Sequence, residues 1–218
     1  MASSRLPPSD PAPTQGPVLG LLSRALELWL RQQCTGIERL EIQLQGSAGH
    51  LVMGRLEGVK LFAKRVEYRQ LHFERVELAS GPIRVRMGAL LRGQSLQLEH
   101  PFQVRGRVSF SGQDLSTSLA TPAWRGLADG LADQILGLSP LAGVRIQEER
   151  LLLIAQGAGA GSPVEVATTV RAMGGSVEIR SLDGSTSCLL PMDPAICIEQ
   201  AELAAGLLEL QGDARVSP

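Results

Sequence analysis

Between Leu51 and Gly81 the chain reads LVMGRLEGVKLFAKRVEYRQLHFERVELASG, and its apolar residues recur every five positions. Leu51, Leu56, Leu61, Val66, Leu71 and Val76 are five apart, and two places after each stand Met53, Gly58, Ala63, Tyr68, Phe73 and Leu78. A strand repeats every two residues and a helix about every 3.6, so neither element carries this rhythm alone. A pentapeptide solenoid is one solution. It needs stacked coils that bury one another, and six units with Tyr68 and Phe73 at inward positions are too few and too bulky. The other solution is a strand whose two-residue alternation is interrupted. Pairs such as Val66/Tyr68 alternate normally, and Arg69-Gln70 or Glu74-Arg75 adds one residue as a bulge or short turn. Serial bulges bend and twist a sheet. The expectation is a strongly curved sheet wrapped around something apolar.

Two amphipathic helices are available to be wrapped. In PVLGLLSRALELWLRQQC, Pro17 suits a first turn and Gly36 a stop. Leu22, Ala25, Leu26, Trp29 and Leu30 form one stripe, widened by Leu19 and Leu21. Its width predicts burial, with Leu22, Leu26, Trp29 and Leu30 covered. Arg24, Glu27 and Arg31 interrupt the segment, so it reads neither as a secretory leader nor as a membrane span. The second helix is expected from Thr121-Pro122 to about Leu138, with Leu127, Leu131, Ile135 and Leu138 on one face and Gly126 and Gly130 allowing close approach. DLSTSLATP before it holds a short helical turn.

The remaining segments alternate at a period of two: Ile37–Gln45, Ile83/Val85/Met87, Leu96/Leu98, Phe102–Val104, Val108–Phe110, Val164–Val170 and Val177/Ile179. LLLIA within Val144–Gln156 is apolar on both faces. Gly174-Gly175 predicts a tight turn, Ala201–Leu210 a hairpin, and PMDP a four-residue hairpin that sets Cys188 opposite Cys197. Connections this short favour antiparallel pairing. The fold class is α+β: a strongly curved, mostly antiparallel sheet around amphipathic helices. The domain organisation is a Pro/Ser-rich tail over 1–16, one domain over 17–212 and a short tail over 213–218.

The net charge of −1 offers no global field for nucleic acid. Lys60–Ser109, however, carries ten Lys and Arg against four Asp and Glu. Arg65, Arg69, Arg75, Arg84, Arg86, Arg105 and Arg107 are therefore candidates for a solvated sheet face or for an anionic membrane surface. Three cysteines, Cys34, Cys188 and Cys197, do not make a disulfide framework, and free thiols suit a cytoplasmic protein with at most peripheral membrane contact. GAGAGS at Gly157–Ser162 lacks the helix that a phosphate loop needs behind it. His50, His72 and His100 have no second ligand at zinc spacing. No nucleophile or metalloprotease motif appears, and Glu148-Glu149 falls in a turn. The sequence thus supplies no catalytic residue, metal site or cofactor.

A curved sheet lined by Leu, Val and Ala suits acyl chains, with polar groups at the mouth. The candidate lining is Leu26, Trp29 and Leu30 from the first helix, Leu61, Ala63, Val66, Tyr68, Leu71 and Phe73 from the sheet, and Trp124, Leu127, Leu131 and Ile135 from the second helix. Four pieces, ALELWLRQQC, GSAGHLVMGRLEGVKLFAKRVEYRQLHFERVELAS, HPFQVRGRVSFSGQDLSTSLATPAW and the β-rich tail, resemble the LmeA-like phospholipid-binding domain family in its cyanobacterial form, over roughly Leu19–Gly212. The resemblance implies a tubular lipid-binding fold, no enzymatic activity, and a phospholipid or fatty acyl chain as partner. The alternative is a structural or partner-binding module with a filled core and no ligand. A hydrolase with a scattered site is a third reading.

Overall fold

A computed structural model describes residues 17–47, 49–50, 53–84, 86, 99–157 and 162–217. The expectations for the 1–16 tail, Leu51, Val85, Met87, Leu96, Leu98 and the centre of GAGAGS lie outside the described residues. So do the side chains of Leu19, Leu21, Leu22 and Ala25. The elements are α1 (Pro17–Gln33), β1 (Gly36–Gln45), β2 (Arg55–Leu56), β3 (Gly58–Tyr68), β4 (Leu71–Ser80), β5 (Ile83–Arg84), β6 (Phe102–Ser111), α2 (Gly112–Ala120), α3 (Arg125–Leu136), β7 (Leu141–Gln147), β8 (Arg150–Ala155), β9 (Val164–Met173), β10 (Ser176–Ser181), β11 (Ser187–Leu189), β12 (Ile196–Ala204) and β13 (Leu207–Val216). The last strand runs past Gly212, where the sequence reading ended the domain.

The α+β class holds, with antiparallel pairing throughout, but the strands divide between two sheets instead of forming one. A six-stranded sheet has the order β1-β3-β4-β6-β13-β12, a five-stranded sheet the order β11-β10-β9-β8-β7, and β2 and β5 form a separate ribbon. Both large sheets are open, since neither pair of outer strands is hydrogen-bonded to the other.

The five-fold rhythm now has a structural account. Tyr68 and Leu71 are the last pair of the β3–β4 hairpin, so one step of the rhythm is the turn Arg69-Gln70. Another step is an extra residue. The ladder pairs Ile37 with Val66 and Val66 with Phe73, then Leu40 with Ala63 and Ala63 with Val76. Inward residues are therefore three apart in β1, β3 and β4 at one level, where Glu38, Arg65 and Glu74 are passed over. Because all three strands add a residue together, register survives and every apolar side chain stays on its face. Arg65 takes a φ of 47° to do so and pairs with Glu38 at 3.3 Å. A one-sided bulge occurs elsewhere, between Ile198 and Gln200 of β12. There a Cβ on Gly212 would stand 2.1 Å from the Cys197 carbonyl oxygen, so only glycine fits.

Among the described residues four hairpins turn on two residues with positive φ at both: Arg69-Gln70, Glu148-Glu149, Gly174-Gly175 and Ala205-Gly206. That geometry matches the twist of the flanking strands. It disfavours residues with a Cβ, so Arg69-Gln70 needs support. Trp124 Nε1 donates to the Arg69 carbonyl at 3.1 Å, and the Ala123 N–H donates to Gln70 Oε1 at 3.3 Å.

α2 is a full helix rather than the short turn expected. Ser111 and Asp114 close a reciprocal capping box at its start. It joins the two sheets through two serines on opposite sides. Ser116 Oγ donates to the Val144 carbonyl at 2.7 Å and accepts the Val144 N–H at 2.8 Å. Ser118 Oγ, fully buried, accepts the His72 N–H at 2.8 Å and donates to the Asp114 carbonyl at 2.6 Å. Thr121 caps the end of α2 instead of starting α3, whose N-cap position is Trp124. Gly126 and Gly130 have no atom of another element near their Cβ positions, so the expected close approach is absent. The sheets meet again where the Ile198 N–H of β12 donates to the Gly175 carbonyl at 2.8 Å.

The PMDP segment does not close a hairpin. Cys188 pairs with Ile179 in the five-stranded sheet, while Cys197 pairs with Asp213 in the six-stranded one. The two thiols therefore do not face each other. All three cysteines are free; Cys188 is buried, Cys34 half-buried and Cys197 exposed, and burial raises the thiol pKa of the first two.

Candidate functional site

One face of the six-stranded sheet is apolar because the paired residues fall in rows. Ile42, Leu61, Leu78, Gly106, Gly212 and Ile198 form one row, and Leu40, Ala63, Val76, Val108, Leu210 and Ala201 the next. Phe73 and Phe110 stack in a third row with ring centroids 4.9 Å apart. The cover is uneven. α1 lies over the β1 edge, bringing Leu30 onto Leu40, Ala63 and Val66, and Leu26 onto Leu44, Leu56 and Ile83. α2 packs on β4 and β6. Between them Leu61, Val76, Leu78, Val104, Val108, Leu210 and Ala214 are only half-buried.

The sequence-predicted lining is split. Leu61, Ala63, Val66, Tyr68, Leu71 and Phe73 share the apolar face. Ala63 and Val66 are buried against α1, Leu61, Leu71 and Phe73 are half-buried, and Tyr68 is exposed. Leu26 and Leu30 reach this face. Trp29 does not: it is 47 % exposed, beside an exposed Leu28, and its expected burial is overturned. The stripe that covers the sheet is the narrower i, i+4, i+8 line of Leu26, Leu30 and Cys34, which turns Trp29 outward. Leu131 and Ile135 are buried in a different cluster, with Ala128 and Ala132, against Leu141, Val144, Leu151 and Leu153 of the second sheet. Leu127 is half-buried on the same helix. Of the second-helix candidates, only Trp124 bonds to the β3–β4 hairpin.

Sequence reasoning missed the β4, β6 and β13 residues of the face, namely Val76, Leu78, Val104, Val108, Leu210 and Ala214. Their alternation was visible. The pairing of β13 with β6, strands about a hundred residues apart, was not.

The opposite face is polar. It carries a shallow trough of about 480 Å³ walled by Glu41, Lys60, Glu77, Arg105 and Arg107, with Phe62 and Ala79 in its floor. The seven candidate arginines are all exposed, and of them Arg105 and Arg107 line the trough. Arg105 bonds to Asp213 at 3.1 Å and reaches Glu199 at 3.4 Å. Asp213 raises the Arg105 pKa, and in return Arg105 holds the Asp213 carboxyl below its usual range. Arg107 donates to Gln211 at 2.8 Å, and Arg75 stands 3.8 Å from Glu77. Arg69 lies over the Tyr68 ring at 5.3 Å. Arg84 and Arg86 lie at and just beyond β5.

In the second sheet, Glu178 is buried between Arg171 at 2.5 Å and Arg180 at 3.1 Å. Those hydrogen bonds, Arg171 first, lower its pKa. The pair satisfies a buried charge and reads as structural. Asp183 accepts from Ser181 and Ser185 in the following loop, which pulls its pKa to about 2. Among the described residues no group of three His, Cys, Asp or Glu is placed to hold a metal, and no helix is long and apolar enough to cross a membrane.

Fold and face together describe an α+β domain whose larger sheet keeps part of its apolar side uncovered by the described helices. The chain belongs to the LmeA-like phospholipid-binding family, whose model matches residues 14–212. Comparisons with curated proteins and with solved structures returned no match.

Proposed function

We propose that the chain binds the acyl portion of a phospholipid, or a fatty acyl chain, along the apolar face that the described helices leave uncovered between α1 and α2, without catalysis. The carrying observation is that face: apolar rows, half-buried in their middle, in a member of a phospholipid-binding family. In this reading the six-stranded sheet acts as an open half-tube. Its lining is Leu61, Leu71 and Phe73 together with Val76, Leu78, Val104, Val108 and Leu210, and residues 17–212 work as one unit. Each buried methylene contributes about 0.8 kcal/mol, so ten of them offset the cost of ordering a flexible chain. The exposed arginines add a weak, salt-sensitive contact to anionic membranes. Three free thiols fit a cytoplasmic protein that visits a membrane peripherally.

A filled module without ligand is the competing reading. It is favoured by the second cluster, where Ala132 and Leu153 have no exposed surface. Displacement of a fluorescent fatty-acid probe separates the two. Val108→Trp adds bulk at a half-buried position in the middle of the face. Ala63→Trp is unsuitable, because Ala63 is buried under α1. The expected result is saturable uptake by the wild type and loss of roughly ten-fold or more in affinity for Val108→Trp, with an unchanged circular dichroism spectrum. No uptake by the wild type, and no lipid extracted from it, leaves the filled-module reading in place.

A further inference from the structure

The β2–β5 ribbon pairs Leu56 with Ile83 and Arg55 with Arg84. Its inner face is ordinary core: Leu56 and Ile83 are each 8 % exposed and pack with Leu44, Leu26, Val59 and Phe102. Its outer face sets two guanidinium side chains directly opposite each other. Cβ atoms in such a pair stand about 4.5–5.5 Å apart, and like charges there destabilise a ribbon.

Among the described residues no ion pair relieves the repulsion. Among the described residues neither Arg55 nor Arg84 forms an ion pair, whereas Arg65, Arg75, Arg105, Arg145 and Arg171 all do. Neither Glu57 nor Glu99 is ion-paired with Arg55 or Arg84 among the described residues. Glu57 meets His50 at 3.2 Å, and Glu99 touches Arg84 only through its backbone N–H, which donates to the Arg84 carbonyl at 2.9 Å. Arg86 is exposed two residues further on, and Met53, two residues before Arg55, is 60 % exposed. The ribbon sits at one end of the apolar face, since Val59 and Leu44 of its cluster continue into the Leu61–Ile42 row.

The geometry points to Arg55 and Arg84, with Arg86 beside them, as a clamp for the phosphodiester of a phospholipid headgroup. The inference rests on the proposed acyl-chain binding and supplies its polar end. A guanidinium presents paired N–H donors that match two phosphate oxygens. One monoanion shared between two opposed guanidiniums turns the repulsion into attraction. Met53 supplies an apolar side chain where the headgroup meets its chains.

The test uses the full chain and vesicles of phosphatidylcholine alone or mixed with phosphatidylglycerol. The variants are Arg55→Gln, Arg84→Gln and the double, with Arg150→Gln as a control of equal charge change on the second sheet. Each single variant is expected to weaken binding to the anionic vesicles about five-fold and the double roughly 25-fold. Arg150→Gln should leave it unchanged, and fatty-acid probe uptake should persist in all four. Without lipid, Arg84→Gln should unfold at a slightly higher temperature than wild type, because a repulsion is gone. No loss in the double variant, or an equal loss in Arg150→Gln, overturns the clamp. Inorganic phosphate competing as well as vesicles overturns the headgroup as its source. Failed probe uptake with vesicle binding that still depends on Arg55 and Arg84 defeats the acyl-chain reading instead and leaves the clamp standing.

Discussion

Ser118→Ala is a small change at the point where the two halves of the molecule are joined. Ser118 has no exposed surface, and its hydroxyl is the acceptor for the His72 N–H of β4 at 2.8 Å. Alanine keeps the helix and nearly the volume but removes that acceptor. Leaving a buried N–H without a partner costs about 1–3 kcal/mol. The second bond, from Ser118 Oγ to the Asp114 carbonyl, adds little, because that carbonyl also serves the helix ladder. In a domain of this size each kcal/mol moves the midpoint by roughly 2–4 °C, so the expected fall is about 2–12 °C. Thermal unfolding followed by circular dichroism measures it, with the exposed neighbour Thr117→Ala as control. A midpoint for Ser118→Ala no lower than that of Thr117→Ala refutes the idea that this hydroxyl ties α2 to the six-stranded sheet.

Two further outcomes follow from burial and charge. Trp29→Ala should change stability by no more than about 0.5 kcal/mol, as expected for an exposed site, whereas Leu153→Ala should cost about 2–5 kcal/mol; urea unfolding of both variants reads the contrast, and a large loss for Trp29→Ala would place that side chain in the core. Asp183, with its pKa lowered to about 2 by Ser181 and Ser185, stabilises the fold above the unfolded carboxyl pKa of about 3.9, and that contribution is lost as pH falls through the folded value. The midpoint of Asp183→Asn should therefore fall less steeply than wild type between about pH 4 and pH 2, and parallel curves would contradict the hydrogen bonds assigned to that carboxylate.

How far the sequence could be read depended on the range of the interaction. Local signals worked. The five-fold rhythm located the β3–β4 hairpin and the level of the added residues, and Gly174-Gly175 and Ala201–Leu210 marked real turns. Errors came where tertiary partners, and not local spacing, decide the pairing. PMDP looked like a hairpin, yet Cys188 before it joins Ile179 and Cys197 after it joins Asp213, in different sheets. Leu131 and Ile135 were expected on one lining with the β3–β4 residues but pack against the five-stranded sheet, because their spacing shows an apolar face but not what covers it. Trp29 illustrates a different limit. A wide stripe on α1 suggested full burial, yet among its described side chains Leu26 and Leu30 meet the sheet and Trp29 does not, and propensity carries no information on which line is chosen. Arg55 was overlooked because its significance depends on lying across from Arg84 in a two-residue ribbon.

The central claim concerns where a chain lies on this molecule. A phospholipid with a photoactivatable group in its acyl chain, bound to the purified protein and cross-linked, reports that position directly by peptide mass spectrometry. The account predicts labels on the half-buried apolar rows, within Leu71–Leu78, Val104–Val108 and Leu208–Leu210. Labels confined to Phe62 and Ala79 in the polar trough, or to exposed Leu28 and Trp29 on α1, would contradict it.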